Sequence, residues 1–351
     1  MKRLSLAACL SASLSLPAAA QDIDVTITAG HPPIFLWVKQ LIDTFIPTVD
    51  AELAGSGQAI IWDQAFGGAL VGVGGEMEAI EDGLAQVGEV PTVFEPTSLP
   101  LQNVTYYTPF GPADPGLVMK IMDDLHQTVP GMNEAWEKYN IEYLGAGFTL
   151  DNYILMTTFP VDSIDDLAGR KIGAPGPAVN WLEGTGAVGV SGNLTTYYND
   201  LQTGVFDGVI VFPTAAAPAR LHEVAPYITI TDFGAQYAGS IVANKEWYDD
   251  QTPEIQAALR AGAAAYSTAY NEEQAKRIDA AIKALQNGDP SKTTVLSEAE
   301  KKRWADALPD VAGVWAKNAD AQGLAATEVL NAYVTAIKAA GVTLPRDWSK
   351  R

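Results

Sequence analysis

Short β-rich runs separated by longer amphipathic or alanine-rich stretches recur along most of this chain, and that alternation restricts its fold more than any other feature. The β-rich runs lie at 25–28, 60–62, 141–144, 171–174, 209–211, 228–231 and 240–243, with helical stretches such as 34–54, 75–82, 115–126, 132–139 and 195–203 between them. Alternation of this kind predicts an α/β architecture with largely parallel sheets. No internal repeat and no low-complexity linker divides the chain. A two-lobed fold would therefore need the chain to cross between lobes more than once.

One helix is unusually well marked. Thr252 offers an N-cap oxygen, Pro253 suits the first helical position, and Glu254 favours the positive helix end. The pattern runs to Gln286, interrupted only by Gly262, and Asn287, Gly288 and Pro290 then stop it. About 34 residues at a rise of 1.5 Å give a rod of about 50 Å, longer than one small domain. Such a helix can brace two lobes. The alternative is an ordinary surface helix broken near Gly262. A second helix begins at Ser297, where Ser297 and Glu300 suit a capping box, and the tail from Gly313 to Ala340 is again helical.

The chain opens with Lys2 and Arg3, an apolar stretch over 4–16 and small residues up to Ala20. A basic start, a short apolar core and small residues before a cut predict a Sec signal peptide over 1–20. The apolar stretch is too short for a membrane helix of about 20 residues. Cutting before Cys9, as in a lipoprotein, would leave too short an apolar core. Cys9 is the single cysteine, so the mature chain would have no disulfide, thiolate nucleophile or cysteine metal ligand. The formal charge of −20 deepens to −22 once Lys2 and Arg3 leave with the signal. A surface so acidic repels phosphate backbones and anionic lipids, which argues against nucleic-acid partners and direct membrane insertion.

Several runs, in order, resemble the solute-binding receptors of TRAP (tripartite ATP-independent periplasmic) transporters. Residues 66–83, from Phe66-Gly67-Gly68 to Glu81-Asp82-Gly83, look like that family's early strand, glycine turn and helix. Residues 84–88 follow as its next strand, and Tyr107-Thr108-Pro109-Phe110 looks like its Leu-Pro-Phe segment. The run Asp-Leu-Ala-Gly-Arg-Lys-Ile-Gly-Ala-Pro at 166–175 resembles Asp-Leu-x-Gly-x-Lys-Ile-Arg-x-Pro. Residues 200–208 resemble Leu-Gln-x-Gly-x-Val-Asp-Gly with Phe206 in place of valine, and Asn244 to Trp247 open the segment before the long helix. The resemblance covers roughly residues 25–290.

It implies a two-lobed periplasmic binding protein fold with a hinge and a long bracing helix. Lobe I would take 21–149 and about 236–255, lobe II 150–235, and the brace 252–286, with C-terminal helices of 287–351 packing across the lobes. It also implies a monomeric periplasmic receptor, without cofactor or catalysis, that closes over a small organic molecule and delivers it to TRAP membrane permease subunits.

The departures from the family pattern bear on the ligand. Gly173 stands where the family arginine would clamp a carboxylate, leaving room for a bulkier ligand or another partner. Val211 replaces a pocket asparagine. Asn152 and Tyr153 occupy the stretch of an auxiliary arginine, where Tyr153 offers a ring and one hydrogen bond. Trp181 opens a helix after Gly173, where a lone Trp is more often core than ligand platform. Loops after strands supply the remaining candidates, His31, Phe35, Phe66, Thr92, Phe94 and Phe212, with Gln236 and Tyr237 after the return crossing. An aromatic-rich, arginine-poor pocket suits an aromatic or largely apolar carboxylate; an amine or an uncharged polar solute is the alternative.

Enzyme readings find less support. Gly184-Thr-Gly186-Ala-Val-Gly189 spells a dinucleotide fingerprint, but a helical stretch precedes it where a strand is needed. His31, His126 and His222 are too scattered in sequence to propose a metal site. Asp165-Asp166 and Asp249-Asp250 lie at helix starts, where carboxylates cap rather than catalyse. A secreted enzyme on a related fold is the weaker alternative.

Overall fold

A computed structural model describes residues 21–350. The signal-peptide expectation for 1–20, Cys9 included, lies outside the described residues. No helix among the described residues is long and apolar enough to cross a membrane.

The fold is mixed α/β, built on two sheets. The first has the order β2-β1-β3-β10-β4, from Gln21–Ala29 (β1), Gln58–Phe66 (β2), Val87–Pro91 (β3), Ile141–Leu150 (β4) and Gln236–Asn244 (β10). The second has the order β11-β9-β5-β8-β6-β7, from Ile154–Thr157 (β5), Lys171–Ala174 (β6), Val188–Ser191 (β7), Gly208–Val211 (β8), Tyr227–Ile230 (β9) and Thr293–Val295 (β11). Each sheet is parallel except for one strand, β10 in the first and β5 in the second. Both exceptions are strands that the chain enters on crossing from the other sheet. The sheets are thus less uniformly parallel than the alternation predicts, because a direct crossing without a helix reverses the strand. Strands β5, β7 and β11 are too short, or too rich in glycine or polar residues, to stand out as β-rich runs.

The crossings lie side by side. Tyr153 N donates to Gly234 O at 3.1 Å, and Asn152 bridges with its Nδ2 on Asp232 Oδ1 at 2.6 Å and its Oδ1 on Gly234 N at 3.0 Å. Gly234, at φ +97°, lies so near Gly111 that an added β-carbon would come within 2.9 Å of its backbone. Lys301, buried on a C-terminal helix, pairs with Asp232 at 2.5 Å.

The long helix spans Pro253–Gln286, capped by Thr252 on Ile255 N and ended by Asn287 in the left-handed region. Its first half is tied to the first sheet: Tyr266 Oη donates to Trp37 O at 2.9 Å, and Tyr270 Oη to Thr149 O at 2.6 Å. Farther along it packs on the turn Pro213–Ala216 of the second sheet, and Leu285 joins that sheet's apolar cluster. Gly262 does not break the helix. It lets Phe45 and Val49 approach, since a β-carbon there would come within 2.5 Å of Val49 Cγ2. Beyond the helix, β11 extends the second sheet, whereas the helix Ala326–Ala339 packs on Pro115–Thr128 beside the first.

Gly262→Val should therefore overpack the contact with Phe45 and Val49 and destabilise the protein by about 1–3 kcal/mol in urea unfolding. Ala264→Val, an exposed position on the same helix, should cost only about 0.5 kcal/mol. Equal losses would show that Gly262 has no packing role.

Candidate functional site

A small, largely apolar cavity lies between the two sheets. Its walls come from the carboxyl ends of strands on both sides, where open α/β sheets collect ligands. His31 and Trp37 follow β1, and Pro91, Val93 and Phe94 end or follow β3. From the second sheet come Pro175 after β6, Asn193 and Leu194 after β7, and Val211 and Phe212 at the end of β8. Tyr153 enters from the crossing, and Tyr197 from the helix Tyr197–Gln202.

Aromatic rings dominate the lining. Phe35, Trp37 and Phe148 lie nearly parallel, with centroids 4.8 and 6.4 Å apart. Trp37 meets Phe212 across the sheets at 5.9 Å, and Phe212 meets Tyr153 at 5.2 Å. No Lys, Arg, Asp or Glu lines the cavity among the described residues. The polar atoms available are few. Tyr197 Oη is buried without a partner, Tyr153 Oη already pairs with Tyr106 Oη at 3.1 Å, and His31 Nδ1 is buried and unpartnered. Burial pushes the His31 imidazolium down to about 4, so the ring is neutral near pH 7. Such a cavity can stack a flat solute and offer it a few neutral hydrogen-bonding groups.

One contact beside the cavity is tight. Gly176, in the left-handed region at φ +46°, meets the first sheet's side so closely that a β-carbon would lie 2.1 Å from Val93 O. Only glycine allows that approach.

His31, Phe94, Tyr153, Val211 and Phe212 line the cavity; the other sequence candidates lie elsewhere. Phe35 stacks behind Trp37, and Phe66 packs against the main core. Thr92 is buried with its hydroxyl on Ala238 O, and Asn152 is spent on the crossing. Gln236 turns its amide to Gly234 O, while Tyr237 pairs with Ser240 and packs against His126. Trp181 belongs to a short 3₁₀ turn, Gly176–Leu182, not to a longer helix. It is fully buried, stacked on Tyr106 and donating to Tyr106 O at 2.7 Å. Gly173 leaves no room for a ligand: a β-carbon there would meet the Phe206 ring at 2.8 Å. The expectation of open space fails because a side chain 33 residues later in the chain fills it.

Sequence reasoning passes over Trp37, Phe148, Asn193 and Tyr197. Trp37 reads as part of an amphipathic helix, and Phe148 as the interior of a strand. Asn193 could have been found only by recognising β7 in a glycine-rich stretch and looking beyond its end.

Residues 65–318 match the family described as bacterial extracellular solute-binding protein, family 7, or DctP. The C4-dicarboxylate-binding periplasmic protein DctP of Rhodobacter capsulatus is 27% identical over 183 residues, 51% of this chain and 54% of that protein. The match thus spans about half the length of that relative. A marine metagenome TRAP solute-binding protein specific for aromatic acid ligands, solved with 3-hydroxybenzoate, aligns with a TM-score of 0.77 at 20% identity over 91% of this chain and 98% of that one. The periplasmic ectoine-binding protein of the TeaABC TRAP transporter of Halomonas elongata aligns with a TM-score of 0.76 at 18% identity over 90% and 100%. At those identities the likeness is one of fold.

Gly173→Ala should destabilise the protein by about 1–3 kcal/mol through the Phe206 ring. Combining it with Phe206→Val should cost less than the sum of the two single changes by about 1 kcal/mol. Additive losses in denaturant unfolding would mean that the two side chains do not share the space.

Proposed function

Because this chain belongs to the DctP family of bacterial extracellular solute-binding proteins, we propose that it is the periplasmic receptor of a TRAP transporter, exported by a signal peptide over 1–20. The receptor takes up an aromatic or largely apolar carboxylate between two lobes, closes on it, and presents it to membrane permease subunits. The observation that carries the ligand class is the aromatic lining of the cavity, with Trp37, Phe148 and Phe212 among its walls and no Lys or Arg among the described residues. Tyr197 Oη and Asn193 Nδ2 are the groups suited to the solute's polar end, since Asn193 Oδ1 already accepts from Thr195.

In the resembled runs an arginine stands at the position of Gly173 and a valine at that of Phe206. Here the larger ring covers the smaller residue, which supports a clamp built without that arginine. Lobes 21–149 with 236–255 and 150–235, hinged at the paired crossings, are the division that fits this reading. The close approach of Gly176 to Val93 then belongs to the closed state.

A second reading has its own support. Among the described residues the lining has no Lys or Arg to balance an acid. That favours an amine or an uncharged polar solute, with the rings supplying cation–π contacts to an ammonium.

A thermal-shift screen of refolded, ligand-stripped protein tests both. A ligand present at about 1,000 times its dissociation constant stabilises by about 4 kcal/mol. Shifts confined to aromatic acids support the first reading, and shifts confined to amines or neutral solutes the second. Shifts with aliphatic diacids alone would overturn the aromatic-cavity argument. With the strongest hit, Gly176→Ala should weaken binding about tenfold in calorimetry, because a β-carbon and a left-handed backbone both oppose closure at about 1–2 kcal/mol. Unchanged affinity would remove that contact from the closed state.

A further inference from the structure

The three histidines are scattered in sequence, yet the fold brings His31 together with two carboxylates. One donor atom from each of His31, Glu76 and Glu89 lies within 4.8 Å of the others, and all three residues are buried. The sequence offers no sign of this, because the donors come from three different segments. His31 follows β1, Glu89 lies in β3 directly beside it, and Glu76 begins the short helix Glu76–Glu81.

The cluster is under-satisfied in a specific way. Both Glu89 carboxylate oxygens and His31 Nδ1 are buried without a hydrogen-bond partner. Glu76 is held by Gly30 N at 3.0 Å and Gly74 N at 2.6 Å. Gly30 is the residue that allows this, since a β-carbon there would come within 2.3 Å of Glu76 Oε1. Tyr266 and Tyr270 are near enough to feel the Glu89 charge, but their hydroxyls go to the carbonyls of Trp37 and Thr149. No Lys or Arg acts on either carboxylate. Two buried carboxyl groups with no cation beside them are costly as ions.

We infer that His31, Glu76 and Glu89 form a binding site for one divalent transition-metal ion, reached from the ligand cavity past His31. Two carboxylates and a neutral imidazole carry the charge that a dication cancels. The mixed nitrogen and oxygen set suits zinc or its first-row neighbours rather than calcium or magnesium, which prefer oxygen alone. Three protein donors leave at least one coordination position open. Gly30 N and Gly74 N serve as the outer contacts that orient the Glu76 carboxylate toward the ion. The inference stands on the cluster alone and does not depend on which solute the cavity takes.

The test uses the mature chain without an affinity tag, stripped with chelator and titrated with zinc chloride by calorimetry. About one zinc per chain is expected, and Glu89→Gln should weaken binding by about 100-fold or more. Glu76→Gln gives an independent second variant, with circular dichroism confirming that both variants fold. Cobalt(II) added to the wild-type protein should give visible absorption bands of a bound ion, a readout that needs no variant. Wild-type protein that takes up neither zinc nor cobalt stoichiometrically would overturn the site. So would zinc binding that both glutamine variants leave unchanged; the carboxyl groups would then hold protons instead.

Discussion

Everything about the site depends on the chain passing twice between its sheets through two strands of backbone that are hydrogen-bonded to each other. Tyr153 and Gly234 join the crossings through their backbones, and Asn152 spans them with both ends of its amide. Because the passages are direct, β5 and β10 run against their neighbours, and the carboxyl ends of the parallel strands in both sheets open onto one shared space. A single crossing would leave two sheets free to separate. Two paired crossings tie the sheets together at adjacent points.

Two further parts also join the sheets. The long helix is anchored to the first sheet through Tyr266 and Tyr270 and reaches the second through Leu285. The C-terminal segment adds β11 to the second sheet and then returns to the first, with Lys301 holding Asp232 at the crossing on the way. Near the crossings an aromatic column runs from Tyr153 through Tyr106 and Trp181 to Phe233 and Trp304. Its indole N–H groups are satisfied by backbone carbonyls, Trp181 on Tyr106 and Trp304 on Trp181. The rings therefore serve packing, which explains why Trp181 is unavailable to a ligand although its place in the chain suggests one.

The parts legible in the sequence are those written in local chemistry. Thr252, Pro253 and Asn287 mark the long helix to the residue. The alternation of runs marks the α/β class, and the ordered motifs mark the family. Cavity-lining residues were legible where they lie at or just past strand ends, as His31, Phe94 and Phe212 do. They were illegible where neighbouring side chains compete for the same loop: Trp37 takes the cavity and Phe35 stacks behind it. Gly173 shows the limit from the other side. Its lack of a side chain is plain in the sequence, but the Phe206 ring that uses the space is known only from the fold.

By itself, then, the sequence determined the class of fold, the position and length of the long helix, and membership of a solute-binding family. Each of these rests on interactions between residues close in the chain, or on runs kept in order along it. The tertiary structure alone decided which aromatic rings face the cavity and which are core. It also decided that His31, Glu76 and Glu89 meet beneath it. Those outcomes depend on contacts between segments tens of residues apart, and on competition for buried space that no local pattern records.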